Sequence, residues 1–148
     1  MSVRVSVILD RKGADVATIP PDATVIDALR ALADHDVGAL VVSAAGDTVD
    51  GIISERDIVR RLADEGEATL HAPVKAVMTA DVRTCGPDET SDAVMEAMTR
   101  HRGRHLPVVV DGRLAGIVSI GDVVKARIDE LTFEKESMQS YISGSPRM

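Results

Sequence analysis

Apolar residues in each half of this chain show first the pattern of a short extended segment and then the spacing of an amphipathic helix. In the first half, residues 16–19 read as a short extended segment that ends at a proline turn. The next apolar residues have the i, i+3, i+4, i+7 spacing of an amphipathic helix: Val25, Ala28, Leu29 and Leu32. In the second half, residues 82–85 precede a matching stripe: Val94, Met95 and Met98. We therefore predict a short strand and then a helix, twice.

Sliding the chain against itself shows that the two halves are copies. At an offset of 66, ADVATIPPDAT (14–24) lies over ADVRTCGPDET (80–90). At an offset of 65, GIISERDIVR (51–60) lies over GIVSIGDVVK (116–125). Upstream, VSVIL (5–9) resembles VKAVM (74–78), which leaves Arg11, Lys12 and Gly13 as an extra loop.

Two strands and a second helix complete each copy. In the second copy, Asp111-Gly112 predicts a tight hairpin between LPVVV and RLAGIV, whereas the first copy has a longer turn through Gly46. Thr24 and Asp27 have capping-box spacing before the first helix, and Gly38 or Gly103 is expected to end the helical region. Ser54 or Ser119 then opens the second helix, and residues 64–73 form the linker.

Composition narrows the possible functions. The 148 residues carry a formal net charge of −7 and almost no aromatic residues, which disfavours nucleic-acid binding through phosphate contacts or base stacking. The single Cys85 favours a reducing compartment, and no apolar run is long enough for a membrane span or a signal peptide. We therefore expect a cytoplasmic protein that binds neither nucleic acid nor membrane.

The Ser-x-x-Asp pairs Ser54/Asp57 and Ser119/Asp122 have two interpretations. Each pair resembles a capping box, for which helix stability alone is a sufficient reason. Each also places a hydroxyl and a carboxylate at a helix N-terminus, where backbone N–H groups favour a phosphate and a carboxylate accepts from ribose hydroxyls. The two roles are compatible.

The duplicated β-α-β-β-α order, with GhhSxxD after each hairpin, resembles a tandem CBS-domain pair, also called a Bateman module. The resemblance covers roughly residues 4–130 and implies an α+β fold of two repeats that pack through their sheets around a pseudo-two-fold axis. It divides the chain into 1–66 (first CBS domain with its lead segment), 74–130 (second CBS domain) and 131–148 (C-terminal helix and a frayed tail). It also implies binding of an adenosine-containing ligand: AMP, ADP, ATP, S-adenosylmethionine or NAD(H).

The family pattern assigns the serine to phosphate and the aspartate to ribose, and places further phosphate contacts just before LPV. In this sequence those contacts fall on Arg104 and His105, inside the basic run RHRGRH (100–105). Such a run is also an ordinary solvated loop. The first copy has Gly38 and Ala39 there, so Arg56 is its nearby cation and the two sites are expected to differ. The complete predicted set is Thr18, Ile19, Ala39, Leu40, Ser54, Arg56, Asp57, Thr84, Cys85, Arg104, His105, Leu106, Pro107, Ser119, Ile120 and Asp122.

Other chemistry has little support in the sequence. Thr18 and Thr84 are ordinary strand residues unless, as in the family, their segments read adenine, with Ile19 and Cys85 as its apolar wall. Cys85 is expected to be a small buried hydrophobe without a catalytic base, and His101 and His105 lack the companions of a metal site. No GxGxxG or GxxxxGK[ST] motif occurs, so neither a Rossmann fold nor a P-loop is predicted.

Three functions follow. The first is a non-enzymatic sensor that holds an adenine nucleotide between the repeats and signals its presence to a protein partner through the C-terminal helix. The second is a constitutive dimerisation module with degenerate ligand sites, and the third is a nucleotide-hydrolysing enzyme. The resemblance also implies a homodimer. An incomplete apolar stripe follows the second repeat and needs a covering surface, either the chain's own domain or a second subunit: Val124, Ile128, Leu131, Met138 and Ile142.

Overall fold

A computed structural model describes residues 3–101 and 103–143 of the chain, with side-chain burial through residue 139 apart from 102. The first repeat contains β1 (Thr18–Ile19), α2 (Val25–His35), β2 (Ala39–Val42), β3 (Gly51–Ser54) and α3 (Glu55–Glu65), and it is preceded by α1 (Val5–Lys12). Its three strands form one sheet in the order β1-β2-β3, with β1 parallel and β3 antiparallel to β2.

The second repeat has the same layout. It contains α5 (Ser91–His101), β4 (His105–Val110), β5 (Arg113–Ser119) and the long α6 (Ile120–Ser143). A single parallel bridge, Cys85 to Val108, takes the place of β1, in the register that joins Ile19 to Val42 in the first repeat. The predicted two-fold α+β repeat with a C-terminal helix is confirmed, although the first extended segment of each copy is shorter than residues 16–19 and 82–85.

The predicted turn and cap chemistry is also present. Asp111 and Gly112 both have positive φ, 52° and 78°, as a two-residue hairpin turn requires. Thr24 and Asp27 form a reciprocal capping box at the start of α2. The end of α2 is different from the prediction: Asp36, with φ 53°, caps the helix instead of Gly38.

The short helix that precedes each repeat packs against the other repeat, an arrangement that we call the exchange of α1 and α4. The N–H groups of Val5 and Ser6 donate to the carbonyls of Glu89 and Pro87, so α1 lies against the second repeat. A 3-10 helix (Gly66–His71) occupies the predicted linker and leads to α4 (Val74–Val77), which lies against the first repeat. The division of the chain at residues 66 and 74 stays a prediction, and this exchange indicates that each half depends on the other.

Each repeat therefore has its own hydrophobic core, which is completed by the helix that precedes the other repeat; we call this helix the borrowed helix. The first core combines α4 with the first repeat: Ile19, Val25, Ala28, Leu32, Leu40, Val42, Ile53, Ile58, Val74 and Val77. The second combines α1 with the second repeat: Val5, Ile8, Cys85, Val94, Met98, Leu106, Val108, Val118, Val123 and Ala126. Burial of aliphatic side chains, at about 25 cal/mol per Å² of apolar surface, stabilises both halves.

Several predictions concern the ends of the chain. Arg11 and Lys12 do not form an extra loop; they are the last turn of α1, which ends at Gly13 with φ 96°. The stripe on α6 is exposed at the four members whose side chains are described: Val124, Ile128, Leu131 and Met138. The side chain of the fifth, Ile142, lies outside the described part of the chain, as do Arg102 and most of the tail predicted to be frayed, 144–148. Among the described helices, none combines the length and hydropathy needed to cross a bilayer.

Candidate functional site

The helix that follows each hairpin begins with a reciprocal cap. At the start of α3, the Ser54 Oγ accepts from the Asp57 N–H at 3.2 Å, and the Asp57 Oδ2 accepts from the Ser54 N–H at 2.9 Å. At the start of α6, the Ser119 Oγ accepts from the Asp122 N–H at 3.1 Å, and the Asp122 Oδ2 accepts from the Ser119 N–H at 2.9 Å. The capping interpretation of both motifs is confirmed, and both aspartates remain partly exposed.

The strand that precedes each hairpin brings a second group of predicted residues to the same place. Ala39 pairs with Ser54 across β2 and β3, and His105 pairs with Ser119 across β4 and β5. The N–H of Ile120 donates to the carbonyl of Arg104 at 2.8 Å. The residues before the second strand therefore lie beside the helix start, as the sequence predicted.

The repeats meet at this point. A methyl group added at Gly38 would lie 3.7 Å from the His105 Cε1 and 3.8 Å from the Glu55 Oε2. Because Gly38 and Glu55 belong to the first repeat and His105 to the second, the helix-start regions of the two copies face each other.

A cleft of about 350 Å³ opens next to this contact, at the lower end of the usual size of small-ligand sites, about 300–1,000 Å³. Both repeats line it: Arg56, Met98, Thr99, Gly103, Arg104 and Ile120. The sequence offered Arg56 as a cation for the first-repeat site, whereas the structure places it in one cleft with Arg104. A larger depression, of about 510 Å³, is lined by residues of α5 alone and does not lie between the repeats.

Charges around the second helix start are tightly coupled. Burial lowers the pKa of His105 below 6.5, the Lys12 charge lowers it further, and the carboxylates of Asp122 and Glu55 oppose this effect. Burial by itself would raise the pKa of Asp122, but hydrogen bonds from Lys12 and Ser119, together with the Lys12 charge, hold it below the usual value. Asp122 is therefore ionised and His105 neutral at pH 7.

The remaining predicted residues divide by exposure. Thr18 and Thr84 are exposed, whereas six others are buried in the structure: Ile19, Ala39, Leu40, Cys85, Leu106 and Pro107. Ile19 and Cys85 lie inside the two cores, and their role as a wall for adenine stays a prediction. Burial, with a smaller contribution from Glu89, raises the pKa of the Cys85 thiol to about 12, so Cys85 is a small buried hydrophobe.

Sequence reasoning missed two charged residues of this region. The Lys12 Nζ lies 2.7 Å from the Asp122 Oδ2, and Glu55 faces Gly38 and His105. Lys12 and Asp122 are 110 positions apart, and only the exchange of α1 brings them together. Within the described residues, no cluster of three or more potential metal ligands occurs.

The family model for the CBS domain matches residues 8–64 and 74–129, so the chain belongs to the CBS-domain family and carries two CBS domains. A curated relative, the mitochondrial CBS domain-containing protein CBSX3 of Arabidopsis thaliana, is 39% identical over 127 residues, which are 83% of this chain and 62% of that protein. A crystal structure of a CBS-domain containing protein from Agrobacterium tumefaciens has a TM-score of 0.82 and 49% identity, covering 86% of this chain and 95% of its own.

Two further solved structures contain ligands. A CBS domain protein from Pyrobaculum aerophilum, in complex with AMP, has a TM-score of 0.73 and 29% identity, over 81% of this chain and 89% of its own. The CBS domain pair of the protein MJ0100, in complex with 5′-methylthioadenosine and S-adenosyl-L-methionine, has a TM-score of 0.77 and 25% identity, over 88% of this chain and 99% of its own. The ligands of these two proteins share an adenosine unit.

Proposed function

We propose that this CBS-domain pair is a non-catalytic regulatory module that binds an adenine nucleotide between its repeats, with AMP, ADP, ATP and NAD(H) as the candidate ligands. The observation that carries the proposal is the cleft that Arg56 of one repeat and Arg104 of the other both line. Guanidinium groups bond phosphate in a bidentate manner, so two of them in one cleft favour an anionic ligand in a chain whose net charge is −7.

The helix starts supply the remaining contacts. The N-termini of α3 and α6 carry partial positive charge, and Ser119 and Asp122 stand at the α6 start beside Arg104. In this proposal Ser119 donates to phosphate, while Asp122 accepts from the ribose hydroxyls as well as from the cap. Ser54 and Asp57 have the same roles in the first repeat.

Ligand binding would then influence the contact between the repeats. A nucleotide that touches both copies stabilises the arrangement in which Gly38 and His105 face each other, and it shifts the population towards that state. In this proposal the chain is a homodimer, and the exposed apolar stripe of α6 transmits the change to a partner protein.

A constitutive dimerisation module is the second candidate, and one observation favours it. Gly38 and Ala39 stand where the second repeat has Arg104 and His105, so the first repeat has no counterpart of the Arg104 cation. A module whose sites have degenerated would dimerise without any response to nucleotide.

Calorimetric titration of the wild-type chain with AMP, ATP and NADH tests the first proposal, with Asp57→Ala and Asp122→Ala as variants. The matched control is Asp27→Ala, because Asp27 closes the same kind of capping box in α2 but lies in neither Ser-x-x-Asp motif. Each of the three variants should lose about 1 kcal/mol of stability, because its carboxylate no longer accepts the capping-box hydrogen bond from the N-cap N–H. Hydrogen bonds to charged groups contribute about 1.5–3 kcal/mol, so loss of a ribose contact should weaken binding at that site at least about ten-fold.

Saturable binding that Asp122→Ala or Asp57→Ala weakens, and Asp27→Ala leaves intact, supports a nucleotide sensor. Absence of binding by the wild-type chain at millimolar concentration of every nucleotide contradicts it and favours the dimerisation module. In that case the thermal midpoint would also be unaffected by nucleotide, because only a ligand that binds the folded state raises it.

A further inference from the structure

Lys12 forms a contact with the aspartate of the second Ser-x-x-Asp motif. Its Nζ donates to the Asp122 Oδ2 at 2.7 Å and to the carbonyl of Ile117 at 2.9 Å. The side chains of Lys12 and Asp122 are 31% and 23% exposed, so solvent screens this ion pair less than a surface pair. The carboxylate predicted to accept from ribose therefore already has a cationic partner.

The packing of α1 fixes the position of this cation. Val5 and Ile8 are buried in the second core, and Leu9 contacts β5 at Gly116. A methyl group added at Gly116 would lie 2.8 Å from the Leu9 Cδ2, so the absence of a side chain there permits the close approach. Lys12 follows one turn after Ile8 and is directed to the start of α6.

The first repeat has the same packing without the cation. Met78 contacts Gly51 as Leu9 contacts Gly116, and the following Thr79 lies beside the aspartate. Its Oγ1 is 3.4 Å from the Asp57 Oδ1. Asp57 therefore has a weak neutral partner where Asp122 has an ammonium group. The negative charge of Asp122 is offset by an adjacent cation, and Thr79 provides no such charge to Asp57.

We propose that Lys12 is a specificity-determining residue of the second-repeat site, which makes that site select phosphorylated adenosine compounds over adenosine itself. This inference rests on the proposed function. The Lys12 ammonium offsets the charge of Asp122, which would otherwise repel phosphate groups held near Arg104. It also competes with ribose hydroxyls for Asp122, which penalises a ligand that has no phosphate to compensate.

The test compares dissociation constants for adenosine and ATP in an Asp57→Ala background, in which binding reports on the second repeat. Lys12→Gln should bind adenosine about three-fold more tightly and ATP about three-fold more weakly, because a partly exposed ion pair has modest strength. The dissociation constant for adenosine divided by that for ATP should therefore fall about ten-fold. Lys12→Arg keeps the charge and should keep the ratio close to that of Lys12.

Lys75→Gln is the matched control, since Lys75 lies in α4, the counterpart of α1, and pairs with the exposed Asp22 at 3.0 Å. It changes net charge equally and should leave the ratio unchanged. Binding of both ligands by Lys12→Gln with an unaltered ratio, or an equal change in Lys75→Gln, contradicts this inference and leaves the proposed function intact. Absence of binding in the wild-type chain and in every variant contradicts both.

Discussion

The two repeats share a backbone plan but differ in the charges at their helix starts. Both have a capping box after the hairpin, and both use a glycine for close contact with a borrowed helix. The second helix start has two cations beside it, Arg104 and the α1 residue Lys12, together with the neutral His105. The first has Gly38, Ala39 and a neutral Thr79 at the related places. The comparison teaches that structural residues of the repeat were kept in both copies, while the charged residues differ between them.

The largest expected effect separates the two glycine contacts. A methyl group at Gly51 would lie 2.6 Å from the Met78 Sδ and 2.8 Å from the backbone oxygen of Thr79, whereas at Gly116 the nearest atoms belong to the Leu9 side chain. Backbone yields less than a flexible side chain, so Gly51→Ala should lower the free energy of unfolding by about 3 kcal/mol and Gly116→Ala by about 1 kcal/mol. Urea denaturation measures both values.

Shortening the neighbouring side chain provides the control. Leu9→Ala should partly restore the stability of Gly116→Ala, because the added methyl then fills the space that Leu9 leaves. Met78→Ala should restore Gly51→Ala less, since the Thr79 backbone remains in place. Equal losses of unfolding free energy in Gly51→Ala and Gly116→Ala would contradict this prediction, because they would show that both sites accommodate an added methyl group equally well.

A smaller effect concerns His105, which stands where the first repeat has Ala39. Because the folded state lowers the pKa of His105, the unfolded chain binds the proton more strongly. The free energy of unfolding should therefore decrease as the pH falls below 6.5, and this decrease should end once the pH is below the lowered pKa of His105. His105→Ala should remove this contribution, and urea denaturation between pH 7.5 and about pH 5 measures the slope.

His35→Ala removes an exposed histidine at the end of α2 and serves as the control for this pH series. A slope that is unchanged in His105→Ala would mean that other groups dominate this pH range. In that case, the second helix start would differ from the first by the charges of Arg104 and Lys12, and protonation of His105 would not add a measurable pH dependence.

Local features of this protein were predictable from the sequence, and contacts between distant segments were not. The capping boxes, the Asp111-Gly112 hairpin and the adjacency of His105 and Ser119 follow from residues close in sequence or from strand pairing. The exchange of α1 and α4 has no local signal, because the sequence of a short helix does not say which repeat it packs against. Lys12 was consequently assigned to a loop, and the position of Arg56 in a cleft with Arg104 was not foreseen.

The central claim is that arginines from both repeats hold one phosphorylated ligand, and calorimetry with AMP and adenosine tests it most directly. Arg56→Ala and Arg104→Ala should each weaken AMP binding about ten-fold and leave adenosine binding nearly unchanged, because each removes a charge-assisted hydrogen bond to phosphate. Arg60→Ala, an exposed arginine on the same helix as Arg56 that does not line the cleft, should change neither. AMP affinity that is unaffected by both Arg56→Ala and Arg104→Ala would contradict the account.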